Sequence, residues 1–289
     1  MGSISRGFRL AKQSWYVVMQ ERSLLVLPVL SFLCILLVAG AFGGGAFGMG
    51  LFDDATTSGS GGGGSNISPV AYVLLFCFYV ITSFIAIYFN AVVIGVAMKR
   101  LHGEDASLGD GFALANQHLG KIFVWAVVTA TVGMVLRMVA ERAGFLGAIL
   151  IRLVGVAWGL ITFFVVPVIL YEPLGVGASI KRSASLFKQK WGEQVVGNAT
   201  IGLAMFVAGI GVALVCAGIG FAIPAAIPAV VVVGVLALIV LAALGSVLSG
   251  VFNAALYRYA TTGDAGGAFS EQDLAGSFRP KKGLRGNLA

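Results

Sequence analysis

Six stretches of this chain run for about twenty residues or more with almost no charge, and a helix of that length crosses the hydrocarbon of a bilayer. An unpaired backbone amide costs several kcal/mol in lipid, so such stretches are predicted to be helical. They are Leu24 to Phe42, entered from Glu21 and Arg22 and left through Gly43 to Gly45; about Val70 to Met98; about Ile122 to Ala140; about Phe145 to Tyr171; Val195 to about Gly218; and Pro224 to Tyr259. The last is some 36 residues long, too long for one straight crossing, which predicts a break near a glycine or a projection out of the membrane. The chain is 58% hydrophobic and 11% charged, against roughly 45–50% and about 25% for soluble domains. That balance excludes a disordered chain or a disulfide scaffold, and predicts an all-α, polytopic membrane protein.

Basic residues divide unevenly between the two sides. Arg6, Arg9, Lys12 and Arg22, Lys99, Arg100 and Lys121, Lys181, Arg182, Lys188 and Lys190, and Arg258, Arg279, Lys281, Lys282 and Arg285 fall on one side, and Arg137, Arg142 and Arg152 on the other. Because cytoplasmic segments retain Lys and Arg, both termini are expected in the cytoplasm of a cytoplasmic-membrane protein. The basic stretch before the first span is too long, and the apolar stretch too extended, for a cleaved signal peptide. Residues 1–262 read as one transmembrane domain, with a Gly/Ser-rich outer loop over 43–69 and a cytoplasmic tail over 263–289.

An internal triplication organises that domain. Ser3 to Trp15 and Ser179 to Trp191 agree at seven of thirteen positions, and Ser107 to Leu119 shares six with the first copy. Each copy precedes a pair of spans, so the chain reads as three repeats, about 3–98, 107–171 and 179–260, each an interfacial amphipathic helix followed by a transmembrane hairpin. Ile4, Phe8, Ala11 and Trp15, like Ile180, Ala184, Phe187 and Trp191, lie at helical spacing and form an apolar stripe. The leading serine is a natural N-cap. Arg6, Arg9 and Lys12, and Lys181, Arg182, Lys188 and Lys190, are candidate lipid-headgroup ligands, with Trp15 and Trp191 as interfacial anchors.

Within the spans, Phe89-Asn90-Ala91 is echoed by Phe252-Asn253-Ala254, each followed seventeen residues after the asparagine by a serine, Ser107 or Ser270. An intramembrane asparagine needs a partner, so Asn90 and Asn253 are expected to face other helices, as structural contacts or as polar points in a path. Arg152 joins them as an intramembrane polar group, and Arg137 and Glu141, four apart, can pair. Glu172 ends the fourth span where a carboxylate can sit in water. The 41 glycines suggest close helix contacts at Gly155 and Gly159, at Gly209, Ala213 and Ala217, and at Ser246 and Gly250.

No chemical motif survives inspection. His102 and His118 have no partner at metal-ligand spacing, Cys34, Cys77 and Cys216 read as packing residues, and Ser185 to Lys188 matches S-x-x-K without its companion motifs. No cofactor, metal or nucleic acid is implied. The pattern Ser179 to Trp191 ahead of a glycine-rich hairpin resembles an uncharacterised prokaryotic six-span family, a domain of unknown function. More distantly it is similar to the membrane domain of some glycerophosphodiester phosphodiesterases. These resemblances imply membrane association and carry no catalytic residues. The expected function is non-enzymatic: a lipid-interacting scaffold that contacts anionic lipid and a protein partner or second copy. A small-solute or lipid transporter or channel is the alternative, suggested by the repeats, the two asparagines and the spans interrupted at Pro28 and Pro167.

Overall fold

The computed structural model describes residues 22–48, 69–189, 191–223 and 227–263. A 3-10 turn at Arg22–Leu25 leads into α1 (Val26–Gly48); then follow α2 (Pro69–Leu101), α3 (Leu108–Gln117), α4 (Leu119–Arg142), α5 (Phe145–Ile161), α6 (Val165–Tyr171), α7 (Val176–Gln189), α8 (Trp191–Ala222) and α9 (Ile227–Thr262). Among the described residues there is no strand. Among the described residues, five helical segments are long and apolar enough to cross a membrane: Ser23–Gly48, Val70–Leu101, Leu119–Arg142, Leu146–Tyr171 and Ile227–Thr262. The expected fifth crossing lies in α8, whose described apolar stretch is the shorter Met205–Phe221.

Three boundaries differ from the sequence reading. The first span does not leave its helix at Gly43 to Gly45, because α1 continues to Gly48; a glycine surrounded by lipid has no alternative partner for its amide and stays helical. The fourth stretch is not one helix, since α5 and α6 are separated by a turn at 162–164. The sixth does not break, and α9 is continuous over 36 residues, about 54 Å at 1.5 Å per residue against roughly 30 Å of hydrocarbon. It is therefore longer than one crossing needs, and so is the 33-residue α2.

The central helix is α2, which packs against α1, α3, α4, α6 and α9. Ala91 to Met98 near its end is buried, as is Val247 to Tyr257 of α9 except Ser249. These join Leu24, Leu27, Ile122, Trp125, Phe164 to Leu170 and Leu186 in one core at one end of the molecule. Toward the other end the side chains open outward, up to Phe221 at 93% exposure, as lipid-facing residues do. α8 and α9 run antiparallel, with Gly245 against Met205, Gly234 against Cys216 and Gly220 against Ile227.

Close approach falls at glycines other than most of those expected. The Cβ of an alanine at Gly250 would lie 2.7 Å from Val93 Cγ1, and at Gly111 2.8 Å from the Val92 carbonyl oxygen, whereas Gly159 has nothing within 4 Å. Of the expected set, Gly250 alone makes so tight a helix crossing among the described residues. Two planes can be read along α2. Arg137 donates to the Tyr79 hydroxyl at 2.8 Å, and Lys99 pairs with Asp110 at 3.1 Å. Positions 79 and 99 are about 30 Å apart along a helix, the thickness of a bilayer core.

Candidate functional site

The break between α5 and α6 begins with a missing donor. Pro167 has no N–H, so the Phe163 carbonyl, four residues earlier, is released from the helical ladder. The chain tightens through Phe163 N–H to Leu160 O at 3.4 Å and Val165 N–H to Thr162 O at 3.0 Å, which also leaves the Ile161 carbonyl and the Phe164 amide without helical partners. Buried backbone groups in this state must be answered by side chains. Two residues from distant helices answer all three. The Ser183 hydroxyl of α7 donates to Ile161 O at 2.6 Å and accepts from Phe164 N–H at 3.0 Å. Asn253 of α9 donates through Nδ2 to Phe163 O at 2.9 Å.

Below the break, Glu172 accepts from Arg182 Nε at 3.1 and 3.2 Å and from the Tyr257 hydroxyl at 3.1 Å. The Tyr257 ring lies 6.2 Å from Phe164 and 6.3 Å from Tyr171. Glu172 therefore does not sit free in water as the sequence suggested; its side chain is 21% exposed and joins α6, α7 and α9. Arg258 donates to the Leu101 carbonyl, closing α9 against the end of α2.

α7 differs from its expected setting in two respects. Ser179 is not an N-cap: the helix starts at Val176, and the Ser179 hydroxyl donates back to the Gly175 carbonyl at 3.1 Å from a fully buried position. The buried face is Ser179, Ser183, Leu186 and Phe187, roughly a quarter turn from the stripe Ile180, Ala184 and Phe187 at 3.6 residues per turn. The core takes a face centred on Ser183, which meets the backbone of the break, and overlaps the expected stripe at Phe187. Ser107 does cap α3, in a capping box with Asp110. The Ser107 amide and hydroxyl, with Lys99, hold the Asp110 carboxyl down to about 2.

The other candidate residues are placed as follows. Lys181 and Lys188 are exposed on α7 while Arg182 is committed to Glu172. Arg6, Arg9, Lys12, Trp15 and Lys190, with the side chain of Trp191, lie outside the described residues. Arg152 is exposed on α5, and Arg137 pairs with Glu141 at 2.9 Å as its spacing allows. Asn90 is half-buried near Gly250. Each histidine ring contacts the carbonyl four residues earlier, His102 to Met98 at 2.7 Å and His118 to Leu114 at 3.1 Å, and no metal-binding cluster is present among the described residues. Ser185 donates to Arg182 O at 2.8 Å, which occupies the hydroxyl of the S-x-x-K match.

Sequence reasoning missed Ser183 and Tyr257. A signal for Ser183 exists in the repeat alignment, where it occupies the position of Gly111. Both meet the backbone of the preceding span nineteen residues upstream, Ser183 at Phe164 and Gly111 at Val92. Residues 69–267, from the first residue of α2 to just beyond α9, match DUF6159, a family of unknown function. The chain belongs to this family. The DUF6159 region contains the broken span, Ser183, Asn253 and the Glu172, Arg182 and Tyr257 cluster, and leaves α1 outside it. No curated protein and no solved structure matches the chain, so the distant resemblance to a phosphodiesterase membrane domain has no support.

Proposed function

We propose that this DUF6159 protein is a non-enzymatic, six-span protein of the cytoplasmic membrane with both termini inside. In this reading it is built from three repeats of interfacial helix plus hairpin, and it acts as a scaffold that holds anionic lipid headgroups at its cytoplasmic face. The observation that carries this reading is the seating of α7. Its inner face is locked to the broken span by Ser183 and to Glu172 by Arg182, while Lys181 and Lys188 stay exposed at the end of the molecule where the core and the paired Lys99 lie. A helix fixed in this way presents its cations in one plane, where each contributes up to about 1 kcal/mol toward an anionic surface. The matched positions of Gly111 and Ser183 support the repeat, and the 30 Å separation of the two polar planes supports the crossing.

Transport is the weaker reading. Asn253 spends its amide on a backbone carbonyl and is 8% exposed, as a structural contact would be.

The test is lipid retention. Purified protein in nanodiscs of mixed phosphatidylglycerol and phosphatidylcholine should enrich the anionic lipid. Replacing Arg6, Arg9, Lys12, Lys181, Lys188 and Lys190 by Gln should abolish that enrichment, and unchanged retention would remove the lipid assignment. Arg182→Gln alone should leave retention as it is, because its charge already faces Glu172.

A further inference from the structure

Asn90 and Asn253 occupy the same short motif and have opposite fates. Asn253 is bonded to Phe163; the Asn90 side chain makes no hydrogen bond among the described residues. Asn90 lines a lateral cavity of about 300 Å³ between α1, α2 and α9, a volume at the lower end of ligand pockets. Its walls are apolar, including Phe32, Phe89 and Ala242, with three neutral polar side chains, one from each helix: Ser31, Asn90 and Ser246. The Ser246 hydroxyl is used on Ala243 O at 3.0 Å, while Ser31, like Asn90, has no hydrogen-bond partner among the described residues. The cavity thus offers unused donors from Asn90 and Ser31 and no charged side chain.

Depth restricts what can meet those donors. Asn90 lies nine residues from Lys99, about 13 Å along α2, near the middle of a roughly 30 Å hydrocarbon layer. A donor left unmet there is costly, and water is scarce. The ester carbonyls of a phospholipid are held near the surface by its charged headgroup, whereas an uncharged glyceride can bring its esters inward. We infer that this cavity binds an uncharged, ester-bearing lipid of the diacylglycerol class. The chains lie against Phe32 and Phe89, and an ester carbonyl accepts from Asn90 Nδ2 and the Ser31 hydroxyl.

This site is independent of the headgroup surface, and its test uses the full chain in phosphatidylcholine nanodiscs. A diacylglycerol carrying a photoreactive diazirine in one chain should label residues of α1, α2 and α9 around the cavity, and excess unlabelled diacylglycerol should compete. Asn90→Leu should lower that labelling about fivefold, the worth of one neutral hydrogen bond, and should melt no lower than the parent because it removes an unpartnered amide. Equal labelling of the Asn90→Leu protein would overturn the proposal. So would label spread over the open faces of α8 and α9, or equal cavity labelling by a photoreactive phosphatidylcholine, either of which means boundary lipid only. Better competition by an isoprenoid quinone would reject the glyceride as the occupant. A lowered melting point in Asn90→Leu would show that the amide is held by the fold and not by a ligand.

Discussion

Ser183→Ala should be the most damaging single-atom change in the described structure. Removing the hydroxyl leaves the Ile161 carbonyl without its donor at 2.6 Å and the Phe164 amide without its acceptor at 3.0 Å, and Ser183 itself is fully buried. Each orphaned buried group costs about 1–3 kcal/mol. Hydrogen bonds between helices in membranes average nearer 0.6 kcal/mol, because the unfolded chain in lipid finds other partners. Two groups lost together still give a loss of about 2–6 kcal/mol at the upper scale and about 1 kcal/mol at the lower. Equilibrium unfolding in mixed micelles reads this directly. Asn253→Leu is the internal comparison: it orphans only the Phe163 carbonyl and also removes its own unpartnered buried Oδ1, so its cost should be the smaller. If Ser183→Ala unfolds with the parent, the closure of the break by α7 is not what holds this end of the molecule together.

Gly111→Val should release α3. A Cβ at this position lies 2.8 Å from the Val92 carbonyl oxygen, 2.7 Å from Val96 Cγ2 and 2.9 Å from Val92 Cγ1. The carbonyl cannot retreat without opening the α2 ladder, so α3 must move instead, at a cost of about 1–3 kcal/mol or more. Moving it also separates Lys99 from Asp110 and the Tyr88 hydroxyl from Asn116, now at 2.8 Å. Amide exchange in residues 108–117 should accelerate about tenfold or more, since 1.4 kcal/mol is tenfold in an opening equilibrium. Gly120→Ala, with nothing within 4 Å of the added methyl, should leave exchange in α3 unaltered. Unaccelerated exchange in Gly111→Val would mean that α3 is not seated on α2 as described.

The long apolar helices were legible because length and apolarity alone determine them, and α3 because Ser107 and Asp110 form a capping box at its start. The break in the fourth stretch was half legible: Pro167 marks where a carbonyl must be released, but nothing local says which distant residue will accept it. The face of α7 was misread for a physical reason. An apolar stripe is found by assuming that the hydrophobic side is the buried side, and here the partner is an unwound backbone, which selects hydroxyls. Ser183 therefore points inward, and Ser179, one turn earlier and bonded to the Gly175 carbonyl, is buried with it. Glu172 was read as a solvated end because its partners, Arg182 ten residues on and Tyr257 eighty-five residues on, meet it only through tertiary structure. Asn90 was recognised as an intramembrane polar group, yet its lack of a partner is visible only in three dimensions.

Side-specific cysteine labelling in intact cells tests the central claim most directly, that paired crossings return every interfacial helix to the cytoplasmic face. With Cys34, Cys77 and Cys216 replaced by alanine, single cysteines at Gly144 and Ile223, both exposed, report the α4 to α5 turn and the end of α8, and cysteines at the exposed Glu104 and Lys181 report the regions of α3 and α7. The account predicts that an impermeant maleimide reacts with Gly144→Cys and Ile223→Cys in intact cells, and with Glu104→Cys and Lys181→Cys only after the membrane is opened. Reaction of Lys181→Cys from outside, or protection of Ile223→Cys, would contradict it.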